Sequence, residues 1–130
     1  MSGESPVLLS IVELGGYPNF APLYERLGCR VVLERSMRKA LAAVKKLKPR
    51  VVVAEFNFQS DFRDRTSSLE SLMAVLQGLP DTRVIVFYEQ EFASQFARLQ
   101  SRFPLFRAMA YPISEEALAA NVQAALQDIG

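Results

Sequence analysis

Histidine and tryptophan are both missing from this chain, cysteine occurs once, and glycine is held to six of 130 residues. Without histidine the chain loses the commonest general base, the usual nitrogen ligand for metals and the acceptor of histidine phosphotransfer proteins. A single cysteine, Cys29, excludes an intrachain disulfide. Its place between Gly28 and a valine-rich run suits a buried structural thiol rather than a reactive one. Charge of one sign is lacking too: 15 Lys and Arg stand against 14 Asp and Glu, so there is no global basic field for nucleic acid and no acidic tail. Long apolar runs are absent, because the stretch from Val7 to Leu14 is broken by Ser10 and Glu13 and followed by Gly15-Gly16. Met1 to Pro6 carries an acid and no basic segment, so neither a signal peptide nor a membrane span is expected. The protein is expected to be soluble and cytoplasmic, with residues 1–6 flexible.

What is present is a large hydrophobic share, half of all residues. A chain of this length has the size of one domain and buries about two-thirds of its unfolded surface. Val7 to Val12 reads as a short buried strand closed by the turn residues Gly15-Gly16-Tyr17-Pro18. Asn19 is a cap for a short helix that tolerates Pro22 in its first turn and stops at Gly28. Arg30 to Glu34 gives a second strand. Ser36 caps a helix in which Met37, Ala40, Leu41, Val44 and Leu47 form one apolar stripe, with the lysines of its last turn complementing the helix dipole.

Lys48-Pro49 ends that helix, and Val51 to Phe56 is the most strongly β-like run in the chain. It lacks alternation, as a central strand covered on both faces should. Asn57 to Thr66 is a long polar connection carrying Phe58 and Phe62. Ser67-Ser68-Leu69-Glu70 reads as a capping box, followed by a stripe of Leu69, Leu72, Met73 and Leu76. Val84 to Phe87 is a fourth strand, Glu91 to Arg102 a helix, and Arg107 to Ala110 a fifth strand. The last helix starts at Ser114-Glu115-Glu116, with Leu118, Val122, Leu126 and Ile129 toward the core. Five strands alternating with five helices predict an α/β fold with one doubly wound parallel sheet in the order 2-1-3-4-5, helices on both faces.

In such a sheet the carboxyl ends of the strands meet at one rim, where ligands and chemistry sit. Here they carry Glu13, Glu55, Tyr88 with Glu89, and Tyr111-Pro112. Over nearly its whole length the chain resembles the receiver domain of bacterial response regulators, the CheY-like, flavodoxin-like fold. The resemblance implies an acidic pair and Mg²⁺ at the end of the first strand, a phosphoacceptor aspartate ending the third, a Ser or Thr ending the fourth, and Lys-Pro ending the fifth. Position by position, Glu13 is one acid in place of two. The segment Pro49-Arg50-Val51-Val52-Val53-Ala54 puts Glu55 at the acceptor position, the hydroxyl falls near Phe87 or Tyr88, and Tyr111 replaces the lysine ahead of the retained Pro112.

These departures describe a degenerate receiver. Phosphoryl transfer is mostly positioning and charge neutralisation by a metal and a nearby cation. Two glutamates make a poor octahedral cage, and Tyr111 brings no positive charge. No catalytic residue, metal or cofactor is therefore expected, and Glu55 should not be phosphorylated. It is expected to be a partly exposed acid at a strand end; the alternative is a permanent mimic of an acylated aspartate, although one charge lacks the three acceptor oxygens of a phosphate.

Phe56, Phe92 and Phe96 are expected in the core, and Tyr88 and Tyr111 in the space the metal site would have used. Phe58 and Phe62, with Asp61, Arg63, Asp64 and Arg65 around them, have the apolar anchor and polar rim of an interface, or belong to a loop folded back on its own domain. A second candidate surface lies on the fourth helix, fifth strand and fifth helix, at Phe103, Leu105, Phe106 and Arg107, where members of the family dimerise. The function expected is that of a non-phosphorylated, receiver-like protein-interaction module in two-component signalling, with a protein partner or a second copy, and no nucleic acid or membrane contact. The alternative of a different class is a small-molecule sensor binding at the aromatic rim, for which Gly15-Gly16 alone is a weak phosphate loop.

Overall fold

The computed structural model of the chain describes residues 5–58 and 69–128. Strands β1 (Val7–Ile11), β2 (Arg30–Glu34), β3 (Val51–Phe56), β4 (Arg83–Tyr88) and β5 (Arg107–Ala110) alternate with helices α1 (Ala21–Arg26), α2 (Met37–Leu47), α3 (Leu69–Leu76), α4 (Ala93–Arg102) and α5 (Glu115–Gln127). All pairings are parallel, and the sheet runs β2-β1-β3-β4-β5. This is the doubly wound order expected from the alternation of elements.

The central strand explains the arrangement. Every residue of β3 is buried, and successive side chains point to opposite faces. Val52, Ala54 and Phe56 enter the core under α2, α3 and α4, where Ala40, Val44, Leu72 and Phe96 meet them. Val51 and Val53 enter the core under α1 and α5, with Leu23, Tyr24, Leu118 and Val122. Glu55 belongs by the same alternation to the second face, although its neighbours there are apolar.

Local chemistry sets the helix ends. The Ser36 hydroxyl accepts from the Lys39 N–H at 3.2 Å, and that of Ser114 accepts from Ala117 at the same distance, each satisfying one of the orphan donors of a first turn. Lys48 closes α2 in the left-handed region at φ 46°, after which Pro49 forbids continuation. Asn19 accepts from the Ala21 N–H at 3.0 Å while Phe20 occupies the cap position. Gly28, at φ 95°, turns the chain from α1 into β2.

Some expectations need correction. The helix expected from Glu91 begins instead as a 3-10 turn over Gln90–Phe92, and α4 proper starts at Ala93. Of residues 1–6, 1–4 lie outside the described residues, and the Pro6 carbonyl accepts from the Arg30 N–H at 2.8 Å. The capping serines Ser67 and Ser68, and Ile129, lie outside the described residues. Cys29 is buried and free, and loss of solvent pushes its thiol upward, which suits the structural role expected for it. Among the described residues no helix is long and apolar enough to cross a membrane.

Candidate functional site

At the carboxyl rim the backbone between β1 and α1 folds over the end of β3. Gly15 at φ 70° and Gly16 at φ 87° make that path open, since L-residues with a side chain rarely adopt it. At Gly15 a Cβ would also come within 3.4 Å of Val12 Cγ1. The turn directs two consecutive backbone N–H groups inward, and both land on Glu55.

The Glu55 carboxylate is only 1% exposed. Its Oε1 accepts from Leu14 N–H at 2.9 Å and from Asn57 Nδ2 at 3.0 Å. Its Oε2 accepts from Gly15 N–H at 3.2 Å and from the Tyr17 hydroxyl at 2.5 Å. A carboxylate has about four lone-pair positions, and here four donors use them. Burying a carboxylate without partners costs several kcal/mol; this donor set offsets that cost, and Glu55 thereby tethers the β1–α1 loop to the sheet. The expectation of a partly exposed acid is overturned, because the extra methylene that makes glutamate a poor metal cage lets it reach the loop.

Aromatic rings close the space above it. Tyr17 stacks on Phe20 at 6.0 Å and on Tyr111 at 5.8 Å, and meets Phe87 edge-on at 5.3 Å. Phe87 lies opposite Glu55 in the β3–β4 register and is fully buried. Burial pushes both the Tyr17 and Tyr111 phenols upward; for Tyr17 the hydrogen bond to Glu55 adds to it, and for Tyr111 the nearby Glu55 charge does. The phenol of Tyr17 is therefore a committed donor, held neutral beside an anion.

The other candidates separate. Tyr88, expected in the same space as Tyr111, points to the opposite face and stacks on Phe96 at 4.5 Å, because one step along a strand reverses the side chain. Phe87 takes the position beside Glu55 instead. The Tyr111-Pro112 peptide bond is cis, and Glu13 is half-buried at the end of β1. Phe58 folds back onto Phe92 at 5.3 Å, while Phe62 and its charged neighbours lie outside the described residues. Phe103 is buried, at 8% exposure, in the core with Leu99 and Val84, so it has little surface to offer a partner. Phe106 is half-buried and covered by the Arg107 guanidinium at 4.3 Å, a cation–π contact that leaves Arg107 as the outward group of that pair.

Mg²⁺, which the receiver resemblance implies, does not fit this site. Both Glu55 oxygens already accept two hydrogen bonds each, and a hard divalent cation needs free oxygen ligands in octahedral array. Among the described residues no three His, Cys, Asp or Glu side chains gather as a metal site would require. The residues that sequence reasoning left out of the site are Tyr17, Asn57 and Phe20; Phe87 is one of two named for its place. Only Asn57 left a local signal, lying two residues beyond the acid it bonds.

No family model matches the sequence, and no curated protein matches it. Solved structures do match over nearly the full length. A response regulator receiver domain from Clostridium thermocellum superposes with a TM-score of 0.74 at 17% identity, covering 93% of this chain and 94% of its own. A response regulator from Thermotoga maritima gives 0.74 at 14% identity, with 96% and 100% covered. The signal receiver domain of an HD domain-containing protein from Pseudomonas fluorescens Pf-5 gives 0.74 at 15% identity, with 95% and 96% covered. At such identities the likeness is one of fold: this chain has the receiver fold.

Proposed function

We propose that this chain is a pseudo-receiver, a cytoplasmic module of two-component-type signalling that takes up no phosphate and acts by contact with another protein or a second copy of itself. The observation that carries the reading is the saturation of Glu55. At the position where the resemblance puts the phosphoacceptor, the carboxylate is buried, fully hydrogen-bonded and covered by Tyr17, so neither a metal nor a phosphodonor has a free oxygen to engage. Tyr111, where a lysine is implied, supplies a ring to the same stack and no positive charge. The likeness to solved receiver domains supports the signalling context.

The rival idea of a permanent phosphorylation mimic finds little support in the geometry. Glu55 directs its oxygens to the β1–α1 loop and Asn57, and Phe87 beside it has no hydroxyl to draw inward. A planar ligand at the rim is also disfavoured, because Tyr111, the ring that would stack on it, already stacks on Tyr17.

The test is incubation with Mg²⁺ and acetyl phosphate followed by intact-mass measurement, beside light scattering over a range of protein concentrations and capture of partners. The expected result is an unmodified mass together with either self-association or a bound protein. A stoichiometric phosphoryl adduct that disappears in Glu55→Gln overturns the reading, as does a strict monomer that captures nothing.

A further inference from the structure

The charges of this chain balance in total but not in space. Residues 26–50 contain nine Lys and Arg against one acid, Glu34, leaving six basic and thirteen acidic residues for the rest of the sequence. That segment comprises the end of α1, all of β2 and α2, and the lead into β3. All nine basic residues except Arg50 are exposed, and none of them takes part in the ion pairs found among the described residues. Among the described residues the β2 side of the molecule therefore carries an excess of exposed positive charge, with Glu34 the one acid within the segment.

Two further features coincide with it. β2 is the end strand of the sheet, and among the described residues nothing pairs with its outer edge, so a row of backbone donors and acceptors faces outward. The large hydrophobic side chains left exposed among the described residues are Leu14, at 73%, and Leu33, at 41%. Both line one cavity of about 300 Å³, floored by Tyr17, Phe20 and Tyr24 and bordered by Arg35. Exposed leucines beside an open edge and a basic field are a costly combination for a surface meant to stay bare.

We propose that this edge docks an acidic, extended segment of a partner protein. The segment adds alongside β2 through backbone hydrogen bonds, seats one apolar side chain between Leu14 and Leu33, and sets a carboxylate on that same face against Arg35, which borders the cavity. Edge addition of this kind draws affinity from the main chain and specificity from alternate side chains, and the charge restricts the partner to an acidic one. A nucleic acid is the weaker match, because exposed aliphatic leucines and an unpaired strand edge contribute little to phosphate contact. The proposal rests on the reading of the chain as a protein-interaction module, but not on whether Glu55 takes up phosphate; Glu55 enters only by holding the loop that carries Leu14 and Tyr17.

The experiment uses the full chain and a fluorescent synthetic peptide of valine and glutamate around one leucine, with a glutamate two residues from the leucine so that both fall on one face. A lysine-for-glutamate version of the peptide and an oligothymidylate serve as comparators, read by anisotropy and by backbone amide shifts. The acidic peptide is expected to bind, to weaken as salt rises, and to shift the amides of Arg30 to Arg35. Leu33→Ser should weaken it about tenfold, in line with loss of one partly buried leucine contact, while the thermal melting of the protein is retained. Arg35→Glu should weaken the acidic peptide and improve the lysine version. The proposal is overturned if the acidic peptide does not bind, if Leu33→Ser binds it unchanged, or if oligothymidylate binds equally to both proteins. It is equally overturned if salt-sensitive association of the chain with itself occupies the same edge. Failure here leaves the unmodified mass at Glu55 intact, so the two readings fall separately.

Discussion

Two places in this molecule, the end of β3 and the outer side of β2, meet at the β1–α1 loop and treat their conspicuous residues in opposite ways. At the rim of β3 a charged group that the fold would ordinarily hand to solvent is 1% exposed and met by four donors. On the β2 side two leucines that the core would ordinarily take, Leu33 on the strand and Leu14 in the β1–α1 loop, are left at 41% and 73%, beside cations that form no ion pair among the described residues. The first site is complete within the chain; the second is complete only with something added. The contrast teaches that a strand end in a doubly wound sheet is not an active site by position alone. Saturation of its polar atoms decides whether it can do chemistry, and at Glu55 the saturation is internal.

The contrast can be broken first at its polar side. Glu55→Ala strands the N–H groups of Leu14 and Gly15 and the Tyr17 hydroxyl beneath aromatic cover, and should cost about 3 kcal/mol of stability, in the range for removing a buried charged partner. Urea unfolding measures it; a loss below about 0.5 kcal/mol, the size of an ordinary surface change, would mean that the tether carries no weight.

Alkaline pH is the next lever. Burial raises the phenols of Tyr17, Tyr24 and Tyr111 above their ordinary value of 10.0. Below that pH both folded and unfolded chains keep these protons and the stability they confer is intact. Above it the unfolded chain ionises while the folded chain does not, so stability falls as pH rises. Urea midpoints should be level on this account up to about pH 10 and drop beyond it, with a shallower drop in Tyr17→Phe.

At neutral pH Tyr17→Phe keeps the ring in its stack and removes one bond to a charged acceptor. The expected loss is about 1.5 kcal/mol, and a neutral effect would assign the loop's order to the two backbone donors alone. The smallest effects belong to the open side: Leu14→Ser and Leu33→Ser should each change stability by no more than about 0.5 kcal/mol, though Leu33→Ser weakens peptide binding. If either unfolds the protein, the leucines are part of the core and the contrast collapses.

Much of the architecture could be read in the sequence because it rests on local patterns. The continuous apolar run Val51 to Phe56 marks a strand covered on both faces, Ser36 and Ser114 mark helix starts, and Arg107 to Ala110 is a strand with the bounds expected of it. The fate of Glu55 could not be read in that way. Its two backbone donors are 41 and 40 residues distant in sequence, and N–H groups carry no sequence signature. Tyr88 and Phe87 were equally placed to face the site until the pleat assigned one to each face. Phe103 is expected on the surface where members of the receiver family dimerise, yet it is buried in the core with Leu99. The charge asymmetry of residues 26–50 lay open in the sequence but was hidden by a balanced total.

The central claim is that the Glu55 carboxylate is occupied by its own loop. Its most direct test is an NMR titration with Mg²⁺ and beryllofluoride, followed at the amides of Leu14, Gly15 and Asn57. Those signals should stay in place at saturating reagent, and all three should move when Glu55 is replaced by glutamine. Saturable shifts in the unmodified protein, centred on Glu55, would contradict the account.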